Sequence, residues 1–223
     1  MAFAKKIVSE EALKEGGNGS KYITKSGIYD VNIIVPFVSL GKGGSTSVDF
    51  YVTYNNQAQT IYGNLRVANN DGSENEIGMK TFNKLLVVAD IDEVADPIDG
   101  ELPIGKNNAM KEVPILESLE DIDCKIAVVN EYGKYNGSYT QKQIIRNFYT
   151  ADGRSASEVV SGAEPAQLDK DLEYMKDVYK DGVTPEEIEA WAKAKYPKNT
   201  AGGAPATSAK AAPSFKRKSF KKA

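Results

Sequence analysis

Between Tyr132 and Arg146 the chain interleaves phenol rings with cations: Tyr132, Tyr135 and Tyr139 surround Lys134, and Lys142 and Arg146 follow. Upstream, Tyr51, Tyr62 and Arg66 repeat the mixture. These residue types together suit an unpaired nucleic-acid strand. Fixed positive charge neutralises phosphates, and every base offers a π-face, so a stacked aromatic contributes roughly 1–3 kcal/mol per base without reading sequence. Tyrosine is also common in strands because it packs well on a pleated surface. The grouping with cations, and not any single ring, points to binding.

Composition removes most competing chemistry. The 223 residues include no histidine and one cysteine, Cys124. An intrachain disulfide, a Cys-rich zinc site and a histidine general base are therefore excluded. Cys124 lies in the apolar run Cys124-Lys125-Ile126-Ala127-Val128-Val129 with nothing electropositive arranged to activate it, and reads as a small buried hydrophobe. Gly41-Lys42-Gly43-Gly44 lacks the spacing and the Lys-Ser/Thr ending of a phosphate-binding loop and reads as a turn. Asp90, Asp92, Glu93, Asp96, Asp99 and Glu101 match no metal-ligand spacing and read as a solvated acidic loop. We expect no catalytic residue, no metal and no cofactor.

The elements that must position the tyrosines follow from periodicity. Ile28 to Phe37 alternates and then becomes continuously apolar, which predicts a long strand. Ser47 to Tyr54 places Val48, Phe50, Val52 and Tyr54 on one face, leaving Asp49, Tyr51 and Thr53 on the other. Thr60 to Val67 turns Ile61, Leu65 and Val67 inward around Gly63, a glycine that predicts a bulge or tight bend. Met79, Phe82, Leu85, Leu86 and Ala89 have helical spacing. Asp123 to Tyr132 and Tyr139 to Tyr149 read as fourth and fifth strands around a hairpin tip.

Five strands with a helix between the third and fourth is the order of an OB-like barrel, whose second and third strands and hairpin loops bind oligonucleotides. The expected fold is thus mainly β: an N-terminal arm over 1–20, an OB-like domain over 21–163, a helical extension over 164–197 and a disordered basic tail over 198–223. In the extension, Thr184-Pro185-Glu186-Glu187 is a capping box with proline at the first helical position, opening a helix through Lys195.

Gly27-Ile28-Tyr29-Asp30-Val31, Val48-Asp49-Phe50-Tyr51-Val52, Phe82-Asn83-Lys84-Leu85 and Lys134-Tyr135-Asn136-Gly137-Ser138-Tyr139 resemble, in their order, the single-stranded DNA-binding proteins of tailed phages. The resemblance covers about Lys21 to Ala163. It implies a sequence-independent binder that coats exposed strands during phage DNA replication and recombination, in the cytoplasm of the infected bacterial host. Relatives in that family typically end in an acidic, partner-recruiting tail, whereas this chain ends basic.

The net charge of −3 hides an asymmetry: from Lys198 onward there are seven basic residues and no acid, leaving 21 basic and 31 acidic residues in 1–197, a net of −10. An acidic body cannot coat itself in phosphate through bulk charge, so any binding site must be a local groove. Phe215, Lys216, Arg217, Lys218, Phe220, Lys221 and Lys222 close the chain. They suit either added DNA affinity or recruitment of a polymerase or other replication protein, with the phenylalanines as apolar anchors. No apolar run of about eighteen residues exists to cross a membrane, and the start lacks a signal core. Two other functions compete: a structural or scaffolding phage protein with an OB-like barrel, and a nucleic-acid enzyme accessory or carboxylate-metal nuclease.

Overall fold

The computed structural model describes residues 22–195. The expected arm over 1–20 and tail over 198–223, with Phe215, Lys216, Arg217, Lys218, Phe220, Lys221 and Lys222, lie outside the described residues. A large, mainly antiparallel sheet organises the rest. Strands β1 (Gly27–Leu40), β2 (Thr46–Tyr54) and β3 (Gln57–Ala68) form a meander, and helix α1 (Glu76–Ala89) follows. A short hairpin, β4 (Ile98–Leu102) and β5 (Lys111–Ile115), precedes the long hairpin β6 (Ile122–Tyr135) and β7 (Ser138–Thr150). Then come α2 (Ala156–Ser161), α3 (Gln167–Tyr174), β8 (Val178–Tyr179) and α4 (Pro185–Lys195).

Long β1 serves two partners on one edge. Gly27 to Ile33 pair with Val128 to Ile122 of β6, and further along Phe37 pairs with Ile115 of β5. On its other edge β1 runs against β2, with a bulge between Ile33 and Val35. The expected count of five strands is too low: β4 falls partly in the expected acidic loop, β5 in a stretch given no element and β8 in the expected helical extension, and the sheet has eight strands among the described residues. Nor is the sheet closed, because no backbone ladder joins β3 to β7 among the described residues. These two strands approach through side chains instead. A Cβ on Gly63 would come within 2.5 Å of Ile145 Cδ1, so the glycine gives β7 room to lie against β3.

The main core lies inside this curl, where Ile33, Phe50, Ile61, Leu85, Ile126 and Phe148 are fully buried together. Helix α1 seals one end of it. Asn75 caps its first turn by accepting from the Gly78 N–H (3.0 Å), and Asp90, at φ 55°, closes its last turn. A side chain on Gly78 would overlap the Arg66 carbonyl, so this glycine lets the helix backbone touch β3.

A second core occupies the outer face of β1 and β2; the continuous apolar run of β1 fits burial on both faces, whereas alternation in β2 turned Tyr51 outward. There the β4–β5 hairpin lays Leu102, Val113 and Ile115 over Val35, Phe37 and Tyr51. A third, smaller cluster joins Tyr132 to Val183 and Ile188, with Tyr139 and Trp191 packed against it. The predicted capping box forms at the start of α4: Thr184 N–H donates to Glu187 Oε2 (3.1 Å) and Glu187 N–H to Thr184 Oγ1 (3.3 Å). Parallel pairing of β8 with β6, at Glu131↔Val178 and Tyr132↔Tyr179, ties the segment before α4 to the sheet.

Candidate nucleic-acid interface

Bulge geometry on β3 builds the first wall of the site. Val48 pairs with Leu65 and Phe50 with Ile61, so Tyr62, Gly63 and Asn64 together oppose the single residue Asp49. Asp49 is buried, and its carboxylate accepts from the Ser39 hydroxyl (2.7 Å) and from the Gly63 N–H. Burial pushes its carboxyl above the usual range, against the pull of those two donors. The bulge thus has a built-in clamp, and it leaves Tyr62 54% exposed with its ring edge-on to Phe37 at 6.4 Å.

Tyr62 and Asp49 line a cleft of about 870 Å³ together with Tyr132, Tyr139, Lys142 and Trp191. Tyr139 and Trp191 meet at 6.1 Å with rings tilted by 50°, bringing the chain's one tryptophan from α4 onto β7. The segment ahead of β1 completes the lining with Ile23 and Thr24. It is held by Gln143, whose amide donates to the Ile23 carbonyl (2.9 Å), and by Asn130, whose amide donates to the Thr24 carbonyl (3.0 Å).

Lys142 is exposed at this cleft. Its register partner Glu131 is occupied by Lys180 at 2.6 Å, and Lys142 forms no ion pair among the described residues. Lys134 is committed differently. Its ammonium lies 3.4 Å from Glu187 and 4.9 Å from the centre of the Tyr139 ring, so the charge expected to meet a phosphate instead braces α4 against the hairpin.

Several expected positions need correction. Tyr51 is only 7% exposed and belongs to the second core, so its ring is closed to a base by the β4–β5 hairpin. Tyr132 is likewise 7% exposed; it stacks on Tyr179 at 5.5 Å and supports Val183 and Ile188. Burial there pushes its phenol up to about 12. Tyr135, at 71% exposure, stands at the hairpin tip beside the Asn136-Gly137 turn, away from the cleft lining. That turn has φ of 48° and 75°, the left-handed pair that a two-residue hairpin favours.

Arg66 is exposed on β3 but outside the cleft. Arg146 is the extra residue of a bulge, since Ala127 pairs with Asn147 and Val128 with Ile145, and it opens onto a separate cleft. Of the expected set, Tyr62, Tyr132, Tyr139 and Lys142 come together, and Trp191 joins them. The signal for Trp191 was indirect: a capped amphipathic helix carrying the only indole, with no local mark of where that helix docks.

Cys124 is buried and its thiol is pushed up to about 12 by burial, with Asp123 and Asp30 adding to the shift. Among the described residues no group of three or more His, Cys, Asp or Glu side chains is placed to hold a metal ion. Among them too, no helix is long and apolar enough to cross a membrane. No protein-family model matches the chain, and no curated protein matches its sequence.

Proposed function

We propose that the protein binds single-stranded DNA without sequence preference, in the cleft between β3, β7 and α4. The observation that carries this is convergence: Tyr62, Tyr139, Lys142 and Trp191 come from three distant stretches of chain and face one cleft. Aromatic faces with an unpaired ammonium are what a base and its phosphate need. The reading is that of a binder, not an enzyme, because the one carboxylate that the described residues place in the cleft, Asp49, spends its acceptors on Ser39 and the β3 bulge.

The strand order supports an OB-type barrel as the underlying fold. The β1–β2–β3 meander is followed by α1, β6 returns to β1, and β7 curls toward β3. On this reading the β4–β5 hairpin is an insertion that covers part of the outer face. Coating of exposed strands during phage replication and recombination in the host cytoplasm, with the basic tail meeting a replication protein, extends the same proposal.

Titration with labelled oligo-dT tests it. Tyr62→Ala weakens binding by roughly 1–3 kcal/mol if the ring stacks a base, with little change in melting temperature because the side chain is half exposed. Unchanged affinity would remove Tyr62 from the site. Incubation of oligo-dT with the protein and magnesium leaves the strand intact; degradation would establish a nuclease in place of a binder.

A further inference from the structure

We infer that the bound strand continues from the aromatic cleft into a second cleft, where Lys84, Arg146 and Lys176 take its phosphodiester backbone and Tyr174 takes a base; this rests on the single-strand reading above. The second cleft, of about 570 Å³, lies where β7, α1, α2 and α3 meet. Thr140 to Gln143 of β7 line the first cleft, and Arg146 and Asn147 line the second. At about 3.3 Å per residue, Lys142 and Arg146 are separated by roughly 13 Å of strand. One extended ligand running along β7 therefore meets both.

Charge singles this cleft out. On a body of net −10, Lys84, Arg146 and Lys176 share one concavity, and none of them has an ion-pair partner within 4 Å among the described residues. Among the described residues the one acid in the lining is Asp171, whose charge Lys84 favours from beyond ion-pair distance and whose oxygens are otherwise taken up by the protein. Its carboxylate accepts from the Tyr149 hydroxyl, from Asn147 (3.1 Å) and from Gln167 (2.8 Å). Arg146 is the unpaired residue of the β7 bulge and is exposed at this cleft. Tyr174, 75% exposed on the last turn of α3, supplies a ring with no packing duty in any of the three cores. Cations that track a backbone beside a ring that accepts any base are the two parts of a sequence-tolerant single-strand groove.

The test uses the full chain and oligo-dT of about 4 and about 16 nucleotides, the range that one OB-type groove occupies. The double variant Lys84→Gln/Lys176→Gln keeps the side-chain stems while removing two charges. For the longer strand it lowers the slope of log K against log salt by about 1.4, since each phosphate contact on a single strand contributes about 0.7. Tyr174→Ala weakens the longer strand roughly fivefold or more, as loss of one stacked base requires. Both variants bind the short strand, which the aromatic cleft alone accommodates, as the unaltered protein does. Equal behaviour of variant and parent on the longer strand, or equal losses on both lengths, would overturn the second contact. If the unaltered protein binds neither oligonucleotide, it is the proposed function that fails.

Discussion

Tyr51 and Tyr62 lie on paired strands, and one is core while the other is surface. Deleting the Tyr51 side chain should therefore cost about 3–5 kcal/mol of stability, as for other large buried aromatics, and affect DNA affinity only through the folded fraction. Urea melts of Tyr51→Ala beside Tyr62→Ala check this contrast. Asp49 carries a pH signature. Its carboxyl is raised in the folded state, so the folded chain holds that proton to higher pH than the unfolded chain does. Its contribution is most favourable below the unfolded value and declines as pH rises through the folded one. Asp49→Asn should remove that decline and stay within about 1 kcal/mol of the parent at neutral pH. Asp49→Ala orphans the Gly63 amide and should cost about 1–3 kcal/mol. Melting curves across weakly acid to neutral pH distinguish the two. At this scale the sequence distinguishes residue types but not their neighbours: the alternation Asp49-Tyr51-Thr53 is the same whether the outer face meets water or a second hydrophobic layer.

Among the elements, α1 was readable because its apolar spacing and its position after β3 agree, and the β6–β7 turn because Asn136-Gly137 adopts left-handed backbone readily. The β4–β5 hairpin was not readable. Each of its strands is five residues long, acidic or proline-bearing, and of the apolar side chains Leu102, Val113 and Ile115 are buried, on Phe37 and Tyr51, while Ile98 stays exposed. Two measurements test how elements are joined. Gly78→Ala should destabilise strongly, by about 3 kcal/mol or more, because the added methyl meets backbone, which cannot rotate away; a small shift in melting temperature would mean that α1 sits less tightly on β3. Glu158 links α2 to α3 by accepting from the Ser155 N–H and hydroxyl and from the Ala166 and Gln167 N–H groups, all at 2.8 Å. The Ser155 amide is the largest of the influences that pull its carboxyl from 4.5 down to about 2. A depressed carboxylate contributes stability that is present above pH 4.5 and is lost as pH falls toward 2. Glu158→Gln should flatten the acid limb of the melting-temperature profile, and an unchanged limb would show that these bonds do not hold in solution.

Across the whole molecule, charge divides an acidic body from a basic end, and removing 198–223 deletes seven positive charges. If that end touches DNA, the truncated chain shows weaker binding and a flatter salt dependence; if, on the proposed phage role, it meets a replication protein, oligo-dT affinity stays and replication in the infected cell is lost. That the chain is mainly β was visible in periodicity alone, whereas three of the eight strands among the described residues were not. The cleft was not, because it forms only when a β3 bulge, the β7 edge and α4 converge, and that convergence depends on the β8 pairing and on Tyr132 packing under Val183 and Ile188. The same convergence places the single tryptophan at the proposed site, where its emission reports occupancy without a label. Titrating Trp191 fluorescence with oligo-dT and with duplex of equal length is the most direct test of single-strand binding in this cleft. The account predicts saturable quenching by oligo-dT, weaker at higher salt and much reduced in Tyr62→Ala, with little response to duplex, whose bases are already stacked. Emission unmoved by oligo-dT, or moved equally by both, would contradict it.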